Sequence, residues 1–138
     1  MIGLDTNVLA RYYIEDTSDQ EATHQHEAAR RLIESGASLM VARTVLLELE
    51  WVMRGYYGFS TEQVTAALRH LLSLPRVTIE EREAVEQAIA NSESGLDFAD
   101  ALHLISYPQC EHVASFDDRK FARRAKRLQL RPPVIVPT

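Results

Sequence analysis

Acidic side chains stand at four separated points of this chain where their surroundings are apolar. Asp5 directly follows "MIGL", Glu48 and Glu50 lie inside "RTVLLELEWVMR", Asp97 and Asp100 sit in "GLDFADALHLI", and Asp117 directly follows "HVASF". Several carboxylates with no Cys or His cluster describe a site for a hard divalent cation, Mg2+ or Mn2+. Without a cation they repel one another, and at least one pKa rises.

Each acid also has an ordinary explanation. Asp5 and Asp117 are placed to cap the helix that follows a strand. Asp97 and Asp100 have the N-cap to N3 spacing of a capping box, which explains Asp97 well. Asp100 is only half explained, because Glu or Gln reaches back more easily from N3. Glu48 has Thr44, Val45, Trp51 and Val52 at helical spacing, so it lies on or beside a buried face. Glu50 neighbours Leu46, Leu47 and Met53, and also Arg54, an ion-pair partner at i+4. A carboxylate held against a core must be paired, protonated or metal-bound, so one of these glutamates needs a reason. Spacing alone does not say which.

The elements that must position these acids follow from short apolar runs alternating with helical patterns. Strands are predicted at 1–4, 39–42, 77–79, 112–116 and 134–137. Helices are predicted near 7–14, 21–35, 44–57, 61–73, 80–93, 97–106 and 117–128. Strands separated by helices imply crossover connections and a mostly parallel sheet. The predicted fold is an α/β class three-layer α/β/α sandwich, formed as one domain over 1–138, with early strands apolar enough to be buried on both faces. Sites in such sheets form beyond the carboxyl ends of the strands, where Asp5 and Asp117 fall.

Bulk properties bound the answer further. The chain has 138 residues, 46% hydrophobic and 25% charged, as a globular protein does. No apolar run approaches the ~20 residues needed to cross a bilayer, and "MIGLDTN" has no basic flank of the kind a secretory signal carries. Cys110 has no second cysteine to pair with and suits a reducing cytoplasm. The net charge of −5 argues against an indiscriminate polyanion binder. Yet residues 119–131, "RKFARRAKRLQLR", carry seven of the fifteen basic residues. Such a strip is either a solvated helix face or a hold on a polyanion beside an acidic site. Phe121, Ala125 and Leu128 would face the core and leave the arginines outward.

With these residues in view, the chain resembles the PIN-domain ribonucleases, especially the VapC-type toxins of bacterial toxin–antitoxin pairs. The matching pieces are "IGLDTNVLARYY", "LLELEWVMRGYYGFS", "GLDFADALHL" and "ASFDDRKFAR", in family order and spanning essentially the whole chain. The resemblance implies that Asp5, Glu48, Asp100 and Asp117 are the catalytic, metal-binding acids, with Asp97 an auxiliary and Asp118 more peripheral. It thereby chooses Glu48 over Glu50. Thr6, Asn7 and Ser115 would orient carboxylates or water. Arg119, Lys120, Arg123, Arg124 and Arg127 would hold the RNA backbone. The implied activity is Mg2+-dependent endoribonuclease cleavage, with Mn2+ substituting, of tRNA or rRNA to a 5′-phosphate and a 3′-hydroxyl by a water that the metal activates. The implied partners are the RNA, a cognate antitoxin and a second copy in a homodimer, all in the cytoplasm with no membrane.

Two other classes compete. A catalytically silent PIN-like module binding RNA or antitoxin would have lost a core acid, and none is lost. A phosphatase of the haloacid-dehalogenase type wants a second Asp two residues after the first, where this chain has Asn7. The remaining side chains read as ordinary: His24 and His26 solvated, His103 packed or hydrogen-bonded, Cys110 and His112 without metal-site company. Trp51, Tyr56, Tyr57 and Phe59 read as core or interface rather than as a base-stacking platform.

Overall fold

The computed structural model describes residues 1–138. The chain divides into two compact units, Met1–Arg82 and Glu83–Thr138, taken in turn.

The first unit opens with β1 (Ile2–Gly3), α1 (Thr6–Tyr13) and α2 (Gln20–Ile33), then β2 (Leu39–Val41) and α3 (Arg43–Trp51). A π-helical segment, Val52–Tyr56, continues α3, followed by α4 (Thr61–Ser73) and β3 (Val77–Ile79). The strands form a parallel sheet in the order β1-β2-β3, with Ile2 opposite Leu39 and Leu39 opposite Val77. Parallel neighbours require crossovers, which α1 with α2 and α3 with α4 supply. Ser60 starts α4 with a reciprocal capping box: Gln63 N donates to Ser60 Oγ at 3.1 Å, and Ser60 N donates to Gln63 Oε1 at 2.9 Å.

Side chains alternate across a strand, and the burial does too. Leu39, Val41, Val77 and Ile79 are buried, as is Leu4 just beyond β1, whereas Gly3, Met40 and Thr78 of the opposite register are exposed. Ile2, on edge strand β1, is exposed as well. The expectation that the early strands are buried on both faces is therefore wrong. An apolar run fixes that a strand has one core face, and the pleat decides which residues occupy it. The fully buried Leu9, Leu46, Leu49, Met53, Leu68 and Leu71 come from the helices of this unit.

The second unit contains α5 (Arg82–Glu93, starting at the boundary), α6 (Phe98–Ile105), β4 (Val113–Ala114), a π-helical segment at Asp118–Ala122, α7 (Arg123–Arg127) and β5 (Val134–Ile135). β4 and β5 pair in parallel, Val113 opposite Val134. Just after α5 comes Gly95, whose φ of +118° a side chain would strain. This turn lets Leu96 N reach back to Asn91 O at 3.1 Å and hands the chain to α6. Val85, Ile89, Phe98, Ala101, Leu104, Phe121 and Ala125 are buried.

The α/β class predicted from the sequence holds, and all five strands and seven α-helices occur near their predicted positions. The two π segments are new. Tyr57 N donates to Val52 O at 3.1 Å and Ala122 N to Asp117 O at 3.0 Å, each spanning five residues rather than four. Such wide turns are rare and gather at functional sites. No helix is long and apolar enough to cross a membrane.

Candidate functional site

Asp5 sits at the exit of β1 and caps α1: its Oδ1 accepts from Thr6 N at 2.9 Å. The capping function thus occupies one oxygen, and the other makes no hydrogen bond. Glu48 projects from α3, exposed and without an ion-pair partner. A cavity of about 520 Å3 in the first unit is lined by Asp5, Thr6, Asn7 and Glu48, together with Arg11, Gln25, Trp51, Tyr56 and Tyr57. Two acids more than forty positions apart therefore open into one space.

The burial expected for Glu48 falls instead on Glu50. Glu50 is 4% exposed and accepts from Arg54 Nε at 2.6 Å. Its ion pair is the reason a carboxylate can lie against the core. Glu48 is on the solvent side because α3 turns Leu46, Leu49 and Glu50 inward.

Thr6 lies beneath this cavity, 6% exposed, with its Oγ1 buried and without a hydrogen-bond partner. Such an atom is expensive to leave unmatched. Asn7 is exposed on the cavity wall. Arg11 Nε donates to Gln25 Oε1 at 2.8 Å, and His26 Nδ1 lies 2.7 Å from Arg11 O. A carbonyl only accepts, so Nδ1 carries the proton. His26 is thus tied to α1 rather than simply solvated, because α2 packs on α1.

The second unit holds the other acids. Asp97 occupies the N-cap position of α6, yet its side chain makes no capping hydrogen bond. The capping expectation for Asp97 is wrong, since only its backbone carbonyl serves the helix, accepting from Ala101 N at 2.8 Å. Asp100 is half-buried, and its pKa is raised by burial first and then by the charges of Asp97 and Asp117. His103 and Arg124 oppose that shift. His103 is exposed rather than packed; one turn along α6, it acts on Asp100 through charge.

Asp117 is held from two sides. Its N–H donates to Ser115 Oγ at 3.1 Å, and its Oδ1 accepts from Lys120 N at 3.0 Å, capping the π segment. Asp118 turns away to an exposed ion pair with Arg123 at 3.3 Å. Arg119, Lys120, Arg123 and Arg127 are exposed, Arg124 is half-buried, and Phe121 and Ala125 face inward. A wider cavity of about 910 Å3 runs between this basic face and β5, bordered by Arg123, Lys126 and Arg131.

The donor chemistry is oxygen throughout: carboxylates, with an unmatched hydroxyl at Thr6. That suits a hard cation, and a cation would relieve the mutual repulsion of Asp97, Asp100 and Asp117. No three His, Cys, Asp or Glu side chains converge as a ready metal cage. Mg2+ is compatible with such a sparse set, because it keeps several waters and binds through one or two carboxylates plus substrate phosphates.

The structure narrows the reading of the aromatic residues as core or interface. Trp51 is 59% exposed and Tyr56 74%, so neither belongs to the core. The available signal was Arg54 at i+4 from Glu50, a pairing that lets Glu50 lie inward and leaves Trp51 outward.

No curated protein matches the chain. The PIN-domain family, in contrast, matches residues 2–127. Parallel strands crossed over by helices, and acids at the ends of β1 and β4, agree with that match: the chain belongs to the PIN-domain family.

Proposed function

We propose that this protein is a divalent-metal-dependent endoribonuclease and the toxin of a type II toxin–antitoxin pair, cutting tRNA or rRNA to a 5′-phosphate and a 3′-hydroxyl. The observation that carries the nuclease reading is the pair Asp5 and Glu48, which open into one cavity with free carboxylate oxygens while neighbouring Glu50 is spent on Arg54. The like-charge crowding of Asp100 with Asp97 and Asp117 supports the same reading. PIN domains are generally nucleases. The toxin role, the cognate antitoxin, the homodimer and a cytoplasmic location rest on the four motif pieces that resemble VapC-type toxins.

Asp5, Glu48, Asp100 and Asp117 are the acids this activity requires, with Asp97 auxiliary. Mg2+ or Mn2+, when bound, supplies an acidified water and neutralises phosphate oxygens. The chain's own work is to hold oxygens ready. Thr6 N fixes Asp5, Ser115 Oγ and Lys120 N fix Asp117, and each carboxylate keeps its second oxygen free. Asn7 offers an amide donor and acceptor beside Asp5. Arg119, Lys120, Arg123, Arg124 and Arg127 bind phosphates flanking the cut.

Purified protein is expected to cleave tRNA or rRNA with Mg2+ or Mn2+ and to stop with EDTA. Asp5→Asn and Asp100→Asn are expected to abolish cleavage while circular dichroism stays unchanged. Undiminished cleavage by both variants would overturn the site. Growth arrest on expression, relieved by co-expression of the adjacent gene's product, tests the toxin role; normal growth of cells containing active enzyme would refute it.

A further inference from the structure

We infer that the exposed aromatic residues beside Asp5 and Glu48 form a stacking site for an unpaired base of single-stranded RNA. The inference rests on the nuclease reading of that cavity and adds the element that selects its substrate.

Trp51, Tyr56 and Tyr57 border the same 520 Å3 cavity as the two acids. Water-exposed rings are held here rather than left loose. The Trp51 indole lies along the helix backbone at Gly55, its Cε2 and Nε1 each 3.6 Å from where a side chain on Gly55 would begin. Tyr56 and Tyr57 meet edge to face, ring centroids 4.8 Å apart at 71°. The wide π turn over Val52–Tyr56 carries Met53 into the core and leaves Tyr56 outside. The result is a fixed aromatic wall over an acidic floor.

Charge identifies the occupant. The floor carries Asp5 and Glu48 against one cation, Arg11, so the cavity does not attract a polyanion by field alone. Affinity there has to come from a contact indifferent to charge, and stacking of a base on an aromatic ring is one. The walls then offer what a base edge and its phosphate need. Asn7 and Gln25 supply amide donors and acceptors. Arg11, whose Nε is engaged by Gln25, keeps its terminal nitrogens for phosphate. Only an unpaired base can enter such a pocket, so the site selects loops, bulges and ends over helical RNA.

Trp51 is the sole tryptophan of the chain, so its emission reports on the site directly. In EDTA, where no cleavage occurs, titration with an eight-residue oligoadenylate is expected to quench that emission saturably. The same strand in a duplex is expected to bind several-fold more weakly. Tyr56→Ala should weaken binding by about 5- to 150-fold, whereas Tyr56→Phe, which keeps the ring, should stay within about twofold.

Three results would overturn the inference. One is oligonucleotide binding, seen by anisotropy, with no change in Trp51 emission and no loss in Trp51→Ala. Another is absence of any binding. The last is an emission shift that follows protein concentration without RNA, which would make the aromatics a protein–protein face. Quenching by a protein that never cleaves RNA would leave stacking standing and sink the nuclease reading; cleavage without quenching does the reverse.

Discussion

Glu50 accepts a hydrogen bond from Arg54 Nε at 2.6 Å, one helical turn away, and that bond divides the labour between two glutamates two residues apart. Glu50 belongs to the fold and Glu48 to the cavity. Arg54→Ala should strand the Glu50 carboxylate against the core and cost about 1–3 kcal/mol, less than for a fully buried pair because Arg54 is 44% exposed. Glu48→Gln should leave the melting temperature unchanged and lower cleavage by about 100-fold or more. Thermal melts and single-turnover cleavage separate the two; a large drop in Tm for Glu48→Gln would reverse the assignment.

Asp100 gives a pH signature. Burial and the charges of Asp97 and Asp117 raise its pKa above that of an ordinary aspartate. Protonation therefore favours the native state. Its contribution is fully present below the ordinary aspartate pKa and is lost as pH rises through the raised value. Asp100→Asn should consequently melt higher than wild type at pH 7 in EDTA, and the gap should close as pH falls toward 4. Mg2+ at about ten times its Kd should raise the wild-type stability by about 1.4 kcal/mol and leave the variant unmoved. A variant that melts lower than wild type at pH 7 would contradict the repulsion.

Thr6 tests the buried hydroxyl. With Oγ1 buried and unpartnered, Thr6→Val keeps the shape and removes the desolvation cost. Stability should stay level or rise by up to about 1 kcal/mol. Cleavage should fall about tenfold if the hydroxyl orients a group in the active state. A clear loss of Tm would mean that the hydroxyl has a structural partner.

The basic face should reveal itself through salt. Arg119 and Lys120 are exposed and unpaired, while Arg123 is already engaged by Asp118. Arg119→Ala and Lys120→Ala should each reduce the slope of log K against log salt by about 0.7 for single-stranded RNA, and Arg123→Ala should do so by less. Equal effects from all three would show that the Asp118 pair does not persist in the bound state.

Much of this is legible in the sequence. Short apolar runs ended by polar residues gave the strands, 3.6-residue periodicity gave the helices, and Asp5 and Asp117 were placed at strand exits by position alone. What periodicity could not reach was the sense of rotation. For α3 it allowed either glutamate to be inward, because both have apolar neighbours at helical spacing. Arg54 at i+4 from Glu50 was a local cue to the answer, but apolar spacing by itself gave it no deciding weight. The same rotation takes Trp51 and Tyr56 out of the core, one of the two places, core or interface, that their sequence left open. Nor does Asp97 show in sequence that its carboxylate stays free, since N-cap position and N-cap hydrogen bonding are separate matters.

The π turn at Val52–Tyr56 gives this helix a property that residue identity does not carry. A wide turn is in effect one residue more than an α-helix needs. Removing a single residue between Val52 and Gly55 would restore regular winding and leave the side chains beyond it facing much as they do now, because the wide turn already absorbs the extra residue. Winding the same residues as regular α-helix, with none removed, would instead rotate every side chain beyond the turn by about 100°, and Tyr56 would leave its place beside Trp51 though neither ring had been mutated. In this segment the spacing is itself an inherited character: the facing of the rings depends on how the turn is wound as much as on which residues it contains.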